Sequence, residues 1–289
     1  MTNNKLALII DSSATYNKEF YEENNVFCIP LQLIDSNNKS YNDDNIDISQ
    51  EEMLSQINKG LYFKTSLSNP GEMYNMVEDL CSKFENVVFF PVAYGISGQY
   101  NQVVNLIKPD FNNFHVVKNS SCAFATEAAI AKFIEITKTS SIEASISFIE
   151  QWIENETGVY VFPEHVTGLI KSGRISSMKG MIANLLKIKP IITLRNSTID
   201  KVDIAKSYTS ATEKILNFLK LKFEKIKKPI SKIVILITNT TPKEKIEFIK
   251  DSITQKFSFI KSKILIRIIP NVFLVHTWDG VFAIQATAE

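Results

Sequence analysis

The sequence predicts an α/β protein of two domains, an N-terminal parallel sheet flanked by helices and a C-terminal α/β domain with a mixed sheet. Three observations carry this. Short apolar runs rich in Val, Ile and Phe alternate with longer amphipathic segments, the pattern of strands covered by helices. A change of character at Asn155-Glu156-Thr157-Gly158 interrupts that alternation, and a domain boundary is expected there, dividing residues 1–157 from 158–289. The chain's 289 residues, 45% of them hydrophobic, are enough for two cores.

The elements follow in order. Leu6 to Ile10 is a continuous apolar run that predicts a buried strand, and Val26 to Leu33 predicts a second. Val87 to Val92 and Phe114 to Val117 predict two more, bounded by Asn, Pro and Asp. Between them, Met73, Met76, Val77, Leu80, Cys81 and Phe84 recur at helical spacing and form one apolar stripe. Asn69-Pro70-Gly71-Glu72 opens that helix, with Asn as cap, Pro in the first turn and Glu at the capping-box position. Ala123 to Thr137 and Ile142 to Ile153 predict further helices, the second marked by Ile142, Ile146, Ile149 and Ile153 along one face. The remainder reads as a strand (Val159 to Phe162), a turn and helix (Met178 to Lys187), and a strand (Pro190 to Leu194). An amphipathic helix from about Ser210 to Lys225, a strand (Ile233 to Thr238) and a helix (Lys243 to Phe257) follow. Ile264 to Ile269 and Gly280 to Ala286 close the chain as strands.

A net charge of +1 argues against a nucleic-acid binder, which needs a clear basic excess. The acidic stretch Asp43 to Asp47 and the basic stretch Lys222 to Lys228 read as solvated faces, the basic one also suited to transient contact with a membrane surface or a partner. Cys28, Cys81 and Cys122 lack Cys-x-x-Cys spacing and sit in apolar or helical contexts, so buried free thiols in a reducing compartment are expected. The first residues lead into too short an apolar run for a signal peptide, and no run approaches a membrane span, so a cytoplasmic location is expected.

Only three cations are arginines, Arg174, Arg195 and Arg267, against 29 lysines. Arg174 falls in the turn Ser172-Gly173-Arg174-Ile175-Ser176. A guanidinium there offers a planar fork for a carboxylate or phosphate that an ammonium does not reproduce. Ser97-Gly98 follows an expected strand and opens a helix. Ser97 reads as an N-cap, and the helix start also directs free backbone N–H groups and a positive dipole end into the crevice where α/β proteins bind ligands. Thr65-Ser66 lies too far ahead of its helix to cap it and reads by itself as a polar loop. His276, after Val272-Phe273-Leu274-Val275, reads as a structural hydrogen-bonding residue.

Two enzyme classes compete. A serine hydrolase or acyltransferase would use Ser97 with His276, but Gly95-Ile96-Ser97-Gly98-Gln99 does not have the glycine spacing of a nucleophile elbow. A nucleotide-binding enzyme would need a dinucleotide or phosphate-loop glycine motif, and the sequence has neither. No His/Cys/Asp/Glu group shows metal-ligand spacing.

Taken together, Asp11-Ser12-Ser13, Pro30-Leu31, Lys64 to Glu72, Gly95 to Tyr100, Leu169 to Ser176 and His276 to Gly280 resemble the DegV family in order and from about residue 5 to the C-terminus. The 32 residues from Thr65 to Ser97 match the family's spacing. The resemblance implies a cytoplasmic protein that binds one long-chain fatty acid and uses no other cofactor. It further implies that the protein presents the carboxylate to a separate fatty acid kinase subunit, the acyl phosphate passing toward phospholipid synthesis. It assigns Thr65, Ser97, Arg174 and His276 to the fatty-acid head group, the two hydroxyls as donors to one carboxylate and His276 as support beside Arg174. The sequence departs from the family pattern at Ala93-Tyr94, Gln99, Asn119 and Trp278-Asp279. These departures bear on the pocket mouth and leave the four head-group residues in place.

Overall fold

Pro30 divides what the hydrophobic pattern joins. A proline has no N–H for a strand ladder, so the apolar run from Val26 to Leu33 is not continued as one strand. In the computed structural model, which describes residues 5–15, 17–174, 188–258 and 264–288, the run splits into two strands that enter different sheets. The first half of the chain runs β1 (Leu6–Asp11), α1 (Lys18–Glu23), β2 (Val26–Ile29), β3 (Gln32–Asp35), β4 (Ser40–Asn42), α2 (Gln50–Asn58), β5 (Phe63–Ser66) and α3 (Pro70–Lys83). It continues with β6 (Asn86–Phe90), α4 (Gln99–Leu106), β7 (Phe114–Val116), α5 (Phe124–Ile136) and α6 (Ile142–Glu156). The second half runs β8 (Thr157–Phe162), α7 (Thr167–Ser172), β9 (Pro190–Arg195), β10 (Thr198–Ile204), α8 (Tyr208–Ile226) and β11 (Ile230–Ile237). After these come α9 (Lys243–Lys256), β12 (Ile264–Ile268), α10 (Asn271–Thr277) and β13 (Phe282–Ala288).

The first sheet, in the order β2-β1-β6-β7, is parallel throughout. Side chains alternate across it: Leu8, Ile10, Val88 and Phe90 pack on α5 and α6, while Ala7, Ile9, Val87 and Phe89 pack on α3 and α4. The six-stranded sheet, β10-β9-β8-β13-β11-β12, is mixed, with β11 and β12 parallel and its other pairs antiparallel. This is the expected fold class. One face of that sheet, with Ile233, Ile235 and Ile284, is buried by α8 and α9. The opposite face, with Val234, Leu236 and Ala283, forms a core with α10, the start of α5 and the small antiparallel sheet β4-β3-β5. The small sheet comes from the first half of the chain yet packs on strands of the second.

Asn69 caps α3 as expected, its Oδ1 accepting from the N–H groups of Gly71 at 2.9 Å and Glu72 at 3.3 Å, with Pro70 leading the helix. The small sheet, α2 and β10 were not expected from the pattern. The polar stretch at Asn155–Gly158 is not a loop. α6 runs directly into β8, and the Thr157 hydroxyl donates to the Ile153 carbonyl at 2.7 Å, satisfying an acceptor at the helix end. The expected helix from Met178 to Lys187 lies outside the described residues, as do Ile175 and Ser176 of the arginine turn. Among the described residues, no helix is long and apolar enough to cross a membrane.

Two surface expectations are corrected. All three cysteines are free, but only Cys122 is buried; Cys81 is half-buried and Cys28 is exposed on β2, an edge strand. The acidic stretch is not wholly solvated, because Asp43 turns inward with 4% of its surface exposed. Burial pushes its carboxyl up to about 7, from 3.8 in an open chain. The folded state therefore holds this proton more tightly than the unfolded one, a contribution that favours folding at low pH and is lost as pH rises through 7. Asp43→Asn, which has no proton to lose, should gain on the wild type by about 2 kcal/mol between pH 5 and pH 8 in denaturant unfolding. A constant difference across that range would show that Asp43 ionises as an exposed carboxylate does.

Candidate functional site

Thr65 lies on a strand, not in the polar loop its sequence suggests. In β5, Phe63 is buried and Lys64 exposed, and the period of two puts half-buried Thr65 on the same face as Phe63. That face meets α10, and Thr65 Oγ1 lies 3.1 Å from His276 Nε2 in the last turn of that helix. Gly168 in α7 permits the next approach, since a Cβ there would fall 2.5 Å from the His276 carbonyl oxygen. Closely packed α7 then delivers Arg174 just beyond its end. The Arg174 Nη1 donates to the Ser172 carbonyl at 2.7 Å, and among the described residues it has no carboxylate partner.

Ser97 sits on the loop after β6. The N-cap of α4 is Gly98, one residue later than expected, yet the Ser97 Oγ still accepts the Gln99 N–H at 3.2 Å. That bond uses the oxygen as acceptor and leaves the hydroxyl proton free to donate. The turn between β9 and β10 docks on this loop: the Gly95 N–H donates to Ser197 Oγ at 2.5 Å, and a Cβ at Gly95 would lie 2.2 Å from the Ser197 carbonyl.

The departures from the family pattern have structural work. Gln99 is fully buried, accepts the Ser68 N–H at 3.1 Å and donates to Ser68 Oγ at 2.9 Å, tying the segment after Thr65 to the one after Ser97. Asn119 donates to the Pro91 carbonyl at 2.7 Å and to Thr126 Oγ1 at 3.0 Å, bonds that an ionised Asp is unable to make. Asp279 Oδ1 accepts from Thr240 Oγ1 at 2.6 Å and from the Gly280 N–H at 2.8 Å, fixing the loop after α10. Asp11 anchors the loop after β1 to the end of β6, accepting from Ser13 and, at 2.7 Å, from the Val92 N–H.

Thr65, Ser97, Arg174 and His276 all line one cavity of about 280 Å³. The rest of its wall is largely apolar, with Val159 and Leu194 from the six-stranded sheet, Val92 and Cys122 from the first half, and Leu169 and Val272 from α7 and α10. Four residues far apart in sequence thus line one largely apolar space.

Burial pushes the His276 imidazole down to about 3, and the charge of Arg174 adds to the effect. The ring is neutral at physiological pH, so it presents one N–H and one lone pair. Nε2 faces Thr65, and Nδ1 is buried with no partner among the described residues. The hydrolase reading needs His276 on Ser97 and a carboxylate on the other ring nitrogen, and neither contact occurs among the described residues. No group of His, Cys, Asp and Glu among them could hold a metal ion. An apolar cavity lined by hydroxyls, a neutral imidazole and a guanidinium with no carboxylate partner among the described residues suits an amphiphile with an anionic head.

Sequence reasoning singled out Gln99 only as a departure at the pocket mouth and missed Gly168 and Gln285, which shape this cavity or its supports. Gln285 left a signal, a lone amide inside the otherwise apolar and small-residue strand Phe282–Ala288.

A model of the family described as "Uncharacterised protein, DegV family" matches residues 5–289. The chain belongs to the DegV family. A DegV domain-containing protein of Mycoplasmopsis pulmonis is 30% identical over 282 residues, 97% of this chain and 94% of the relative. The solved structure of a fatty acid binding DegV family protein from Streptococcus agalactiae superposes with a TM-score of 0.86 at 18% identity, covering 99% of each chain. A DegV family protein from Ruminococcus gnavus, refined with vaccenic acid, gives a TM-score of 0.82 at 22% identity over 98% of this chain and 100% of that one. At these identities the structural likeness establishes the shared fold.

The neutral state of His276 can be checked directly. Its ring ¹⁵N resonances should not titrate between pH 8 and pH 5, because burial holds the imidazole well below its ordinary value of 6.5. A midpoint between pH 5 and pH 7 would mean that the ring is solvated or paired with an anion.

Proposed function

We propose that this chain binds one long-chain fatty acid in the cavity, its carboxylate at Thr65, Ser97, Arg174 and His276. The observation that carries the proposal is a largely apolar cavity lined by Thr65, Ser97, Arg174 and His276, with a guanidinium that has no carboxylate partner among the described residues and an imidazole held neutral. Burying a 16-carbon tail contributes on the order of 12 kcal/mol at about 0.8 kcal/mol per methylene, reduced by the cost of ordering the chain. The tail thus dominates affinity, and the polar residues set orientation. The fatty-acid-binding relatives from Streptococcus agalactiae and Ruminococcus gnavus support the same ligand class.

The proposal extends to presentation. The chain would offer the carboxylate to a separate kinase subunit and carry the acyl phosphate toward phospholipid synthesis in the cytoplasm, without catalytic residues or a cofactor of its own. In this reading residues 1–157 supply Thr65 and Ser97 while residues 158–289 supply Arg174 and His276, so the head group bridges two domains. Lys225 and Lys227, exposed at the end of α8, would make a transient contact with an anionic membrane surface.

Protein purified from a bacterial host should carry a near-stoichiometric fatty acid, identified by native mass spectrometry and organic extraction. A nucleotide or sugar phosphate in its place, with no lipid at any loading, would sink the reading. Ser97→Ala and Thr65→Ala should each weaken carboxylate fixation by roughly 1–3 kcal/mol in a competition assay without preventing folding. Unchanged affinity and ligand orientation in both variants would place the head group elsewhere. Arg174→Lys keeps the charge and loses the fork, so acyl binding should largely survive. Acyl-phosphate formation with a supplied kinase subunit should fall by up to about a hundredfold, the effect of misplacing a reacting group by about an ångström. Equal losses in binding and phosphorylation would make Arg174 a plain binding residue.

A further inference from the structure

One polar side chain in the cavity wall has no part in the head-group network. Gln285 lies within β13, is 2% exposed, and lines the cavity. It pairs in register with Val159, and Ala283 on the same face pairs with Val161, so its neighbours along this wall are apolar. The Gln285 Oε1 accepts the Ala125 N–H at 2.9 Å in the first turn of α5. The N-cap position of that helix is Ala123, which has no side chain able to cap it, and the Gln285 carbonyl satisfies one of its free N–H groups.

The bond to Ala125 also decides which end of the amide points where. Only the oxygen accepts an N–H, so the amide nitrogen is directed away from α5. Among the described residues that nitrogen has no acceptor. The capping role accounts for the oxygen and leaves the two N–H donors unexplained. A plain alkyl chain laid against them would strand them without a partner, at a free-energy cost. An oxygen at the matching position of the chain would receive one.

We propose that Gln285 is a specificity residue that selects an acyl chain bearing an oxygen substituent, a hydroxyl or oxo group, along its length. The inference rests on the fatty-acid reading above and deepens it. Because the donor is a single amide held by its bond to α5, it reads one stretch of the chain, and the selection is for position as well as for oxygen.

The test uses the full chain, stearic acid and a positional series of monohydroxystearic acids in a competition binding assay. At least one regioisomer should bind the wild type about tenfold more tightly than stearate, while isomers hydroxylated elsewhere along the chain should not. Gln285→Met, which removes the donors at similar volume, should reverse that order by binding stearate more tightly than wild type and the favoured isomer more weakly. If the variant does not fold, the wild-type series decides alone. Stearate binding as tightly as every isomer would overturn the proposal, and is also the result expected if an ordered water satisfied the amide. Failure of stearate and all isomers to bind would instead overturn the fatty-acid reading on which the proposal rests.

Discussion

The contact between Thr65 and His276 is the constraint on which the cavity depends. It joins the small sheet of the first half to α10 of the second, and it lies where water has been removed. The desolvation that packs α7, α10 and β5 together is what holds the imidazole neutral. A neutral ring beside Arg174 leaves the guanidinium as the positive charge of the polar region. A protonated ring would add repulsion between a buried imidazolium and the half-buried guanidinium and more charge than one carboxylate offsets. Packing, protonation and ligand charge are therefore linked through one hydrogen bond.

The supports around that contact share a design. Gln99 bridges to Ser68, Asn119 to Pro91 and Thr126, Asp11 to Val92, and Gly95 to Ser197. Each ties a loop that carries or flanks a cavity residue to a neighbouring element by a hydrogen bond that needs a particular donor or acceptor. The result is a cavity whose polar groups come from strand β5, helix α10 and the loops beside them.

Features set by local chemistry were legible in the sequence. The Asn69 cap and Pro70 start of α3 depend on neighbours within a turn, and the alternation in β1 and β6 depends on burial of both faces. Strand β10 was not, because its side chains are mixed and none is buried on either face. The division at Pro30 was visible as a residue but was outweighed by the apolar run around it. Long-range pairings have no such local trace. That Thr65 would meet His276, or Gly168 the back of α10, follows from tertiary packing; the resemblance to a family assigned Thr65 and His276 to one site in advance, and nothing pointed to Gly168. Gln285 lies between these cases. Its polarity inside an apolar strand was visible, but the helix end it caps was not.

The central claim is that the carboxylate rests among Thr65, Ser97, Arg174 and His276. The most direct test is the ¹³C resonance of carboxyl-labelled palmitic acid bound to the wild type and to variants at Thr65, Arg174 and Gln285. The account predicts that Thr65→Ala and Arg174→Lys each shift the carboxyl resonance, while Gln285→Met leaves it in place. A carboxyl resonance indifferent to Thr65 and Arg174, but moved by Gln285→Met, would contradict the account and place the carboxylate beside Gln285.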